Sequence, residues 1–187
     1  PMSYLRGKRW RWARWIGVFL IISGFAIIAF RYQITSVIKP YNDQQDRPLV
    51  QDSFKKDKFW LTDNPNFDID RMLNDRNPSQ YLTNHTGKLQ IKVLFDKNKK
   101  AGFTAYYKKN FYEGRVLFLW VDPSFRGHGY GKTLLDHAIN QLFKEGCTKV
   151  TLVTRVINTW AQKVYKEVGM TETHRDKVFV YFAITKK

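Results

Sequence analysis

The sequence predicts an α/β domain on a mixed sheet, carried behind an N-terminal membrane helix. Three observations predict it. The second half of the chain reads as strands first, then strand, helix, strand, helix, strand. A glycine-rich turn joins a buried strand to an amphipathic helix, and an uncharged apolar run lies near the start.

A chain of 187 residues has room for one ordinary domain and an appendage. Hydrophobic residues at 43% and aromatics at 16% suffice for a packed interior and exclude a disordered chain. The single cysteine, Cys147, excludes an internal disulfide and a cysteine metal cluster; its expected role is packing, and no metal is expected. The formal charge is +16, and Arg6, Lys8, Arg9, Arg11 and Arg14 supply the first five positives with no acid among the first thirty residues. Such a surface attracts anionic lipid, nucleic acid or a phosphate-rich cofactor, and composition does not choose among them.

Trp15 to Phe30 (WIGVFLIISGFAIIAF) is uncharged, and as a helix would extend about 24 Å at about 1.5 Å per residue. Continuing through Ile38, with Arg31 snorkelling to a headgroup, brings it to bilayer length. Trp10, Trp12 and Trp15, set between arginines, suit the interface. A basic stretch before an apolar run is also the pattern of a cleaved leader, but no clean small-x-small cleavage site follows. Residues 1–38 are therefore read as a basic, Trp-rich N-terminus with an uncleaved anchor, transmembrane or interfacial, that meets membrane lipid through residues 10–38. Residues 39–58, polar and with Pro40 and Pro48, are read as a linker, and residues 59–187 as the folded domain.

Within that domain a short helix is expected around Asp68 to Asn74. After Gly87, LQIKVLFD, the turn KNKK and AGFTAYYKK form a hairpin. Past the turn NFYEG, Arg115 to Val121 (RVLFLWV) is almost wholly apolar, as a central strand buried on both faces would be. Gly131 to Phe143 places Leu134, Leu135, Ala138, Ile139, Leu142 and Phe143 on one helical stripe. Lys149 to Val153 is a further strand. Asn158 caps a helix that ends at Gly169, and Phe179 to Ile184 closes the sheet.

Chemistry concentrates in VDPSFRGHGYGKTLL, Val121 to Leu135. Gly127, Gly129 and Gly131 let a ligand approach the backbone, and N–H groups at a helix N-terminus bind phosphate, with Lys132 adding a positive charge. Neither the Walker spacing nor the dinucleotide fingerprint fits. The pattern Arg/Gln-x-x-Gly-x-Gly/Ala does, as Arg126-Gly127-His128-Gly129-Tyr130-Gly131, and here the sequence resembles the GNAT superfamily of N-acetyltransferases. Leu119-Trp120-Val121-Asp122-Pro123 is similar to the family strand that pairs with the pantetheine arm. Asn158, Tyr165 and the terminal Gly169-Met170 are similar to its downstream signature. The bland readings are a packing turn, an N-cap and a core aromatic. Seven residues are two helical turns, so Asn158 and Tyr165 share a face under either reading.

The resemblance implies a mostly antiparallel sheet with splayed central strands and flanking helices. It implies acetyl-CoA as co-substrate, held by residues 119–121, 126–132 and Asn158, and an amine acceptor that attacks the thioester directly. A backbone N–H of the central strand would stabilise the oxyanion, and Tyr165 would act as the acid. The sequence departs from the family where a carboxylate base is often found: Val153 and Arg115 stand there, and Glu113 is expected in the hairpin turn. His85, His128, His137 and His174 receive no role. The alternatives are a CoA-binding module of weak catalysis, an RNA- or ribosome-associated acetyltransferase suggested by the charge, and an anchored structural protein. The charge asymmetry about the apolar run places the N-terminus in the cytosol and would export the domain. Acetyl-CoA does not cross bilayers unaided, so the domain is expected to face the compartment that holds it, most simply the cytosol.

Overall fold

Alternating side chains commit the middle of the chain to strands, and the computed structural model, which describes residues 36–76 and 87–187, joins seven of them in one sheet. In chain order the elements are β1 (Ser36–Pro40), α1 (Asp43–Leu61), α2 (Ile69–Asp75), β2 (Gln90–Asp96), β3 (Lys99–Lys108) and β4 (Glu113–Val121). A 3-10 turn (Pro123–Phe125), α3 (Tyr130–Lys144), β5 (Lys149–Arg155), α4 (Thr159–Glu167), β6 (Thr171–Arg175) and β7 (Phe179–Thr185) follow. The strand order is β1-β2-β3-β4-β5-β7-β6. Ladders β2/β3, β3/β4, β5/β7 and β6/β7 are antiparallel, while β4/β5, bridged by α3, is parallel. This is the mixed, mostly antiparallel sheet with flanking helices that the sequence led us to expect.

Helices cover both faces. Along β3, Tyr106 packs in a cluster with Leu135, Ala138 and Leu142 of α3 and Tyr165 of α4. Its alternating neighbours Phe103, Ala105 and Tyr107 pack on the other side with Val50 and Phe54 of α1 and Met72 and Leu73 of α2. Period-two alternation thus separates the two cores. Cys147 is fully buried in the first, where burial pushes its thiol pKa up. At Gly102 the backbones of β3 and β4 approach so closely that a Cβ would lie 2.4 Å from the Trp120 carbonyl oxygen.

Two expectations are corrected. Residues 39–58 are no linker: they hold the end of β1 and most of α1, and the folded part begins ahead of Phe59. The core-facing positions of α1 are Asp46, Val50, Ser53 and Phe54, and Pro48 lies within the helix. Two polar groups on the inner stripe and an internal proline hide the helical signal. Asp46 is tolerated in the core because Lys100 Nζ lies 2.9 Å from its Oδ1 and the Asn42 N–H donates to its Oδ2 at 2.8 Å. Second, β4 is not buried on both faces throughout. Val116, Phe118 and Trp120 are buried, but Leu117, Leu119 and Val121 are half-buried.

Near Asp68 the expected helix is α2, capped by the Asp68 carboxylate, which accepts from the Arg71 N–H at 2.9 Å. Strand β6 was unforeseen. All five of its residues, TETHR, are exposed, so no apolar alternation marks it. The run Trp15 to Phe30 lies outside the described residues. Among the described residues no helix is long and apolar enough to cross a membrane.

Candidate active site

The half-buried face of β4 follows from how its ladders end. β4 pairs with β5 only through Glu113–Lys149, Gly114–Val150 and Arg115–Thr151, and beyond these each strand pairs only with its other neighbour. The cause is local. On β3, Tyr106 faces Val116 and Ala105 faces Phe118, so Leu117 is an extra residue, a β-bulge that bends and twists β4 as the β4/β5 ladder stops. After the bulge, the Thr104 hydroxyl donates to the Phe118 carbonyl at 3.2 Å and the Asp122 N–H donates to the Ala101 carbonyl at 2.9 Å. Phe118, Trp120 and Asp122 therefore turn their backbone groups to β3. By alternation Leu119 and Val121 present theirs to the gap beside β5, where no strand pairs with them.

The glycine loop closes one end of that gap. Asp122 starts it: its Oδ1 accepts from the Ser124 N–H at 2.9 Å and from the Ser124 hydroxyl at 2.6 Å, which holds the carboxyl pKa down. Gly127 and Gly129 have φ of 83° and 79°, conformations that L side chains rarely adopt, and a Cβ on either would meet nothing within 4 Å. The space above the loop is open. Gly129 is the N-cap of α3 and no side chain caps that helix, so its first-turn N–H groups face the same space. Such a cradle fits a pyrophosphate group, and the residues that would hold it are Gly127 to Lys132. Among the described residues no three metal-ligating side chains come together.

Helix α4 forms the opposite wall. A Cβ on Gly131 would lie 4.0 Å from both Val121 and Val164, so the start of α3 sits between the end of β4 and α4. Asn158 caps α4, accepting from the Ala161 N–H at 3.2 Å and donating through Nδ2 to the Thr154 hydroxyl at 3.2 Å. The Tyr165 ring is buried edge-on against Phe182 at 5.4 Å. Burial pushes the Tyr165 pKa up to about 12, and a hydrogen bond with Thr154 only partly offsets this. A protonated phenol therefore stands beside Thr154, on the stretch of β5 that has left β4.

Helix α1 crosses the mouth of the gap on the other face. Asp57 breaks its helical geometry (φ −130°, ψ 25°), and its Oδ2 accepts from Trp120 Nε1 and from an Arg126 guanidinium N–H, both at 2.7 Å. Two residues on, the Phe59 carbonyl accepts from Arg155 Nε at 2.8 Å, with the guanidinium 4.2 Å from the Phe59 ring centre. Residues 57–59 thus tie the end of β4 to the end of β5.

The sequence-identified residues therefore converge on one gap, with two qualifications. Trp120 does not face it: its backbone pairs with β3 and its ring packs toward α1. The Arg126 side chain turns from the loop to Asp57 and to the Val121 carbonyl, which accepts from its Nε at 3.0 Å. Tyr130 stacks on His128 at 5.8 Å, and His128 Nδ1 lies 3.0 Å from the Arg126 carbonyl, so that imidazole braces the loop. Glu113 opens β4 instead of sitting in the turn. It lies at the closed end of the gap, where burial raises its pKa but Lys109 at 3.1 Å and Thr151 at 2.9 Å more than offset that and hold it low. His137 lies on α3, its pKa lowered by burial, and His174 packs on Tyr181; His85 is outside the described residues. Sequence reading missed Thr154 and Asp57. Thr154 stands four residues before the cap it bonds, whereas nothing marks Asp57 within KKDKFW.

The sequence profile of the acetyltransferase (GNAT) family matches residues 48–170. The chain belongs to this family. The match begins inside α1, ahead of the point from which the resemblance was legible. A ribosomal protein bS18-alanine N-acetyltransferase of Haemophilus ducreyi is 43% identical over 60 residues, 32% of this chain and 41% of that protein. Human N-alpha-acetyltransferase 30 is 33% identical over 76 residues, 41% of this chain and 20% of that protein. The chain thus spans well under two thirds of the length of these relatives. Spermidine N-acetyltransferase of Vibrio cholerae, solved with CoA and spermine, superposes with a TM-score of 0.64 at 16% identity, over 81% of this chain and 95% of that one. An N-acetyltransferase of Campylobacter jejuni does so with a TM-score of 0.57 at 15% identity, over 82% and 99%. At such identities these two share the GNAT fold.

Proposed function

We propose that this GNAT protein transfers the acetyl group of acetyl-CoA to a primary amine by direct attack. The observation that carries the reading is the end of the β4/β5 ladder at Arg115 and Thr151. It opens a gap whose edges are the Leu119 and Val121 backbone, which no strand pairs with on that side, the glycine cradle and the Tyr165 phenol. In this reading the N–H groups of 127–132 take the pyrophosphate and the β4 edge pairs with the pantetheine arm. The Leu119 N–H receives the negative charge developing on the carbonyl oxygen. The amine nitrogen forms the new C–N bond as the C–S bond breaks, Tyr165 offers its proton to the departing sulfur, and the surplus proton on nitrogen passes to water, from which the phenol is restored.

The acceptor is a protein N-terminal amine. Two things support this: the names of the curated relatives, and the engagement of the carboxylates around the gap, since Glu113, Asp57 and Asp122 are each held by their own partners. An α-amino group has a pKa of about 8, so a useful fraction is already neutral near pH 7.5 and no strong base is required; a lysine, near 10.4, would need one. The run Trp15 to Phe30 anchors the chain to a membrane, with the domain on the side that holds acetyl-CoA; its uncharged composition and flanking tryptophans support this.

Calorimetry with acetyl-CoA tests the site. Micromolar binding to the wild type, abolished in Gly129→Asp, is expected. No binding, or wild-type binding by the variant, refutes it. Partition of the full chain into the carbonate-washed membrane fraction, lost on deletion of residues 1–35, tests the anchor.

A further inference from the structure

Arg126 is the one charged residue of the cofactor motif that precedes the cradle directly, yet its guanidinium is engaged elsewhere. We propose that Asp57 is a positioning residue for cofactor capture: it draws Arg126 away from the cradle and competes with the CoA pyrophosphate for the same guanidinium. The inference rests on CoA occupying the glycine loop.

Three features of the contact carry it. The Arg126 N–H and Trp120 Nε1 both donate to the same Asp57 oxygen at 2.7 Å, so the carboxylate is held in place by an indole that cannot leave the core. The Asp57 side chain is 15% exposed, whereas that of Arg126 is 53% exposed; the acid is fixed and the base is free to exchange partners. The kink in α1 at Asp57 aims the carboxylate at the end of β4, and Lys56 beside it lies 3.4 Å from Asp122, so the acid is positioned by its own helix and not by Arg126.

The alternative partner is close in chain. Arg126 is bonded to Gly127, the first residue of the cradle, so a rotation of its side chain, which also gives up the Nε bond to the Val121 carbonyl, replaces one anion by another. A pyrophosphate offers more charge and more acceptor oxygens than one carboxylate. The pair therefore costs cofactor affinity while tying α1 to the loop. Bound cofactor, in taking the guanidinium, removes one of the ties that residues 56–59 make across the mouth of the gap.

The sign of one substitution separates this from a structural role. Asp57→Asn keeps an acceptor for the Trp120 indole and removes the charge. If Asp57 only supported the loop, the change would weaken CoA binding or leave it unaltered. If Asp57 competes, CoA binds roughly two- to fivefold more tightly, the range of one partly exposed ion pair. In an Arg126→Ala background the same substitution should have no such effect, since no guanidinium is left to free. A second readout needs no variant of Asp57. Full-length protein carrying 5-fluorotryptophan, with the Trp120 signal identified from Trp120→Phe, should show that fluorine resonance shifting further with CoA than with pantetheine, which lacks the phosphates, and that difference should vanish in Arg126→Ala.

Equal or weaker CoA binding by a folded Asp57→Asn, or tightening that persists without Arg126, overturns the proposal. So does a Trp120 resonance that shifts no further with CoA than with pantetheine, and this decides the matter should the variant fail to fold. If the wild type does not bind CoA at all, the cradle assignment falls and the proposal with it. Binding without the Asp57 effect removes only the proposal.

Discussion

Replacing Tyr165 by Phe separates what the ring does from what the hydroxyl does. The ring lies against Phe182 at 5.4 Å in the core, and phenylalanine keeps that contact. Stability should therefore fall only by the net worth of one buried hydrogen bond with Thr154, about 0.5–1.5 kcal/mol. The effect on rate should be larger. General acids contribute about 10²–10⁴-fold, but a phenol whose pKa is pushed up to about 12 is a weaker acid than a thiol of about 8.5. Full proton transfer to sulfur is then uphill, and Tyr165 acts mainly by donating a hydrogen bond to the charge growing there. The expected loss is at the low end, about 10²-fold in kcat, or roughly 2.7 kcal/mol of barrier. The assay is thiol release with acetyl-CoA and a peptide acceptor, beside calorimetric binding of CoA, which should be unaltered. An unchanged kcat where chemistry limits, or a loss carried wholly by cofactor affinity, would falsify the assignment of Tyr165 as the acid.

Other expectations follow from particular contacts. Gly102→Ala sets a methyl 2.4 Å from the Trp120 carbonyl oxygen, where only backbone can yield; urea unfolding should show a loss of roughly 1–3 kcal/mol or more, and a loss below 0.5 would contradict the close approach. Asn158→Ala removes the cap of α4 and the bond to Thr154, so stability should drop by about 1 kcal/mol in the same measurement. The pH dependence of kcat/KM should rise through the amine pKa of about 8, because only the neutral amine attacks, and then stay level to about pH 10. Tyr165 titrates only at about 12, so a falling limb between pH 8 and 10 would mean another group is the acid.

The sheet was legible wherever side chains alternate against a packed face, and illegible where they do not. β2, β3, β4, β5 and β7 each carry buried residues at strand spacing. β6 has none, because it is the edge strand beyond β7 with all five residues exposed, and its pairing is carried by backbone with help from the Thr171 and Thr173 hydroxyls, which donate to the Ala183 and Tyr181 carbonyls. Helix α1 failed differently. Its inner stripe runs Asp46, Val50, Phe54, and the charge that would disqualify Asp46 from a core is neutralised by Lys100, fifty-four residues away in sequence and invisible from within the segment. Periodicity reads local burial, and a buried ion pair is a tertiary fact.

The site divides along the same line. The cradle was legible because backbone conformation constrains sequence at single positions: φ values of 83° and 79° ask for glycine at 127 and 129 whatever else surrounds them. The gap was implied by family resemblance, but its physical origin was not, since the bulge at Leu117 changes register without changing composition: a leucine inside RVLFLWV looks the same whether or not it is paired. Asp57 was the least visible, for its role depends on an indole and a guanidinium brought to it by β4 and the loop. The order is instructive for the chemistry. The elements proposed to bind the invariant part of acetyl-CoA are written into local backbone demands, while the groups that face α1, where the acceptor is proposed to enter, are assembled across the sheet. Variation of acceptor within one fold is then expected to come from α1 and the ends of β4 and β5, with the glycine loop held constant. Exchanging residues 56–61 for those of another acetyltransferase should therefore change the amine preferred while leaving CoA affinity within the range set by Asp57. Loss of CoA binding with no change of acceptor would show the reverse division of labour.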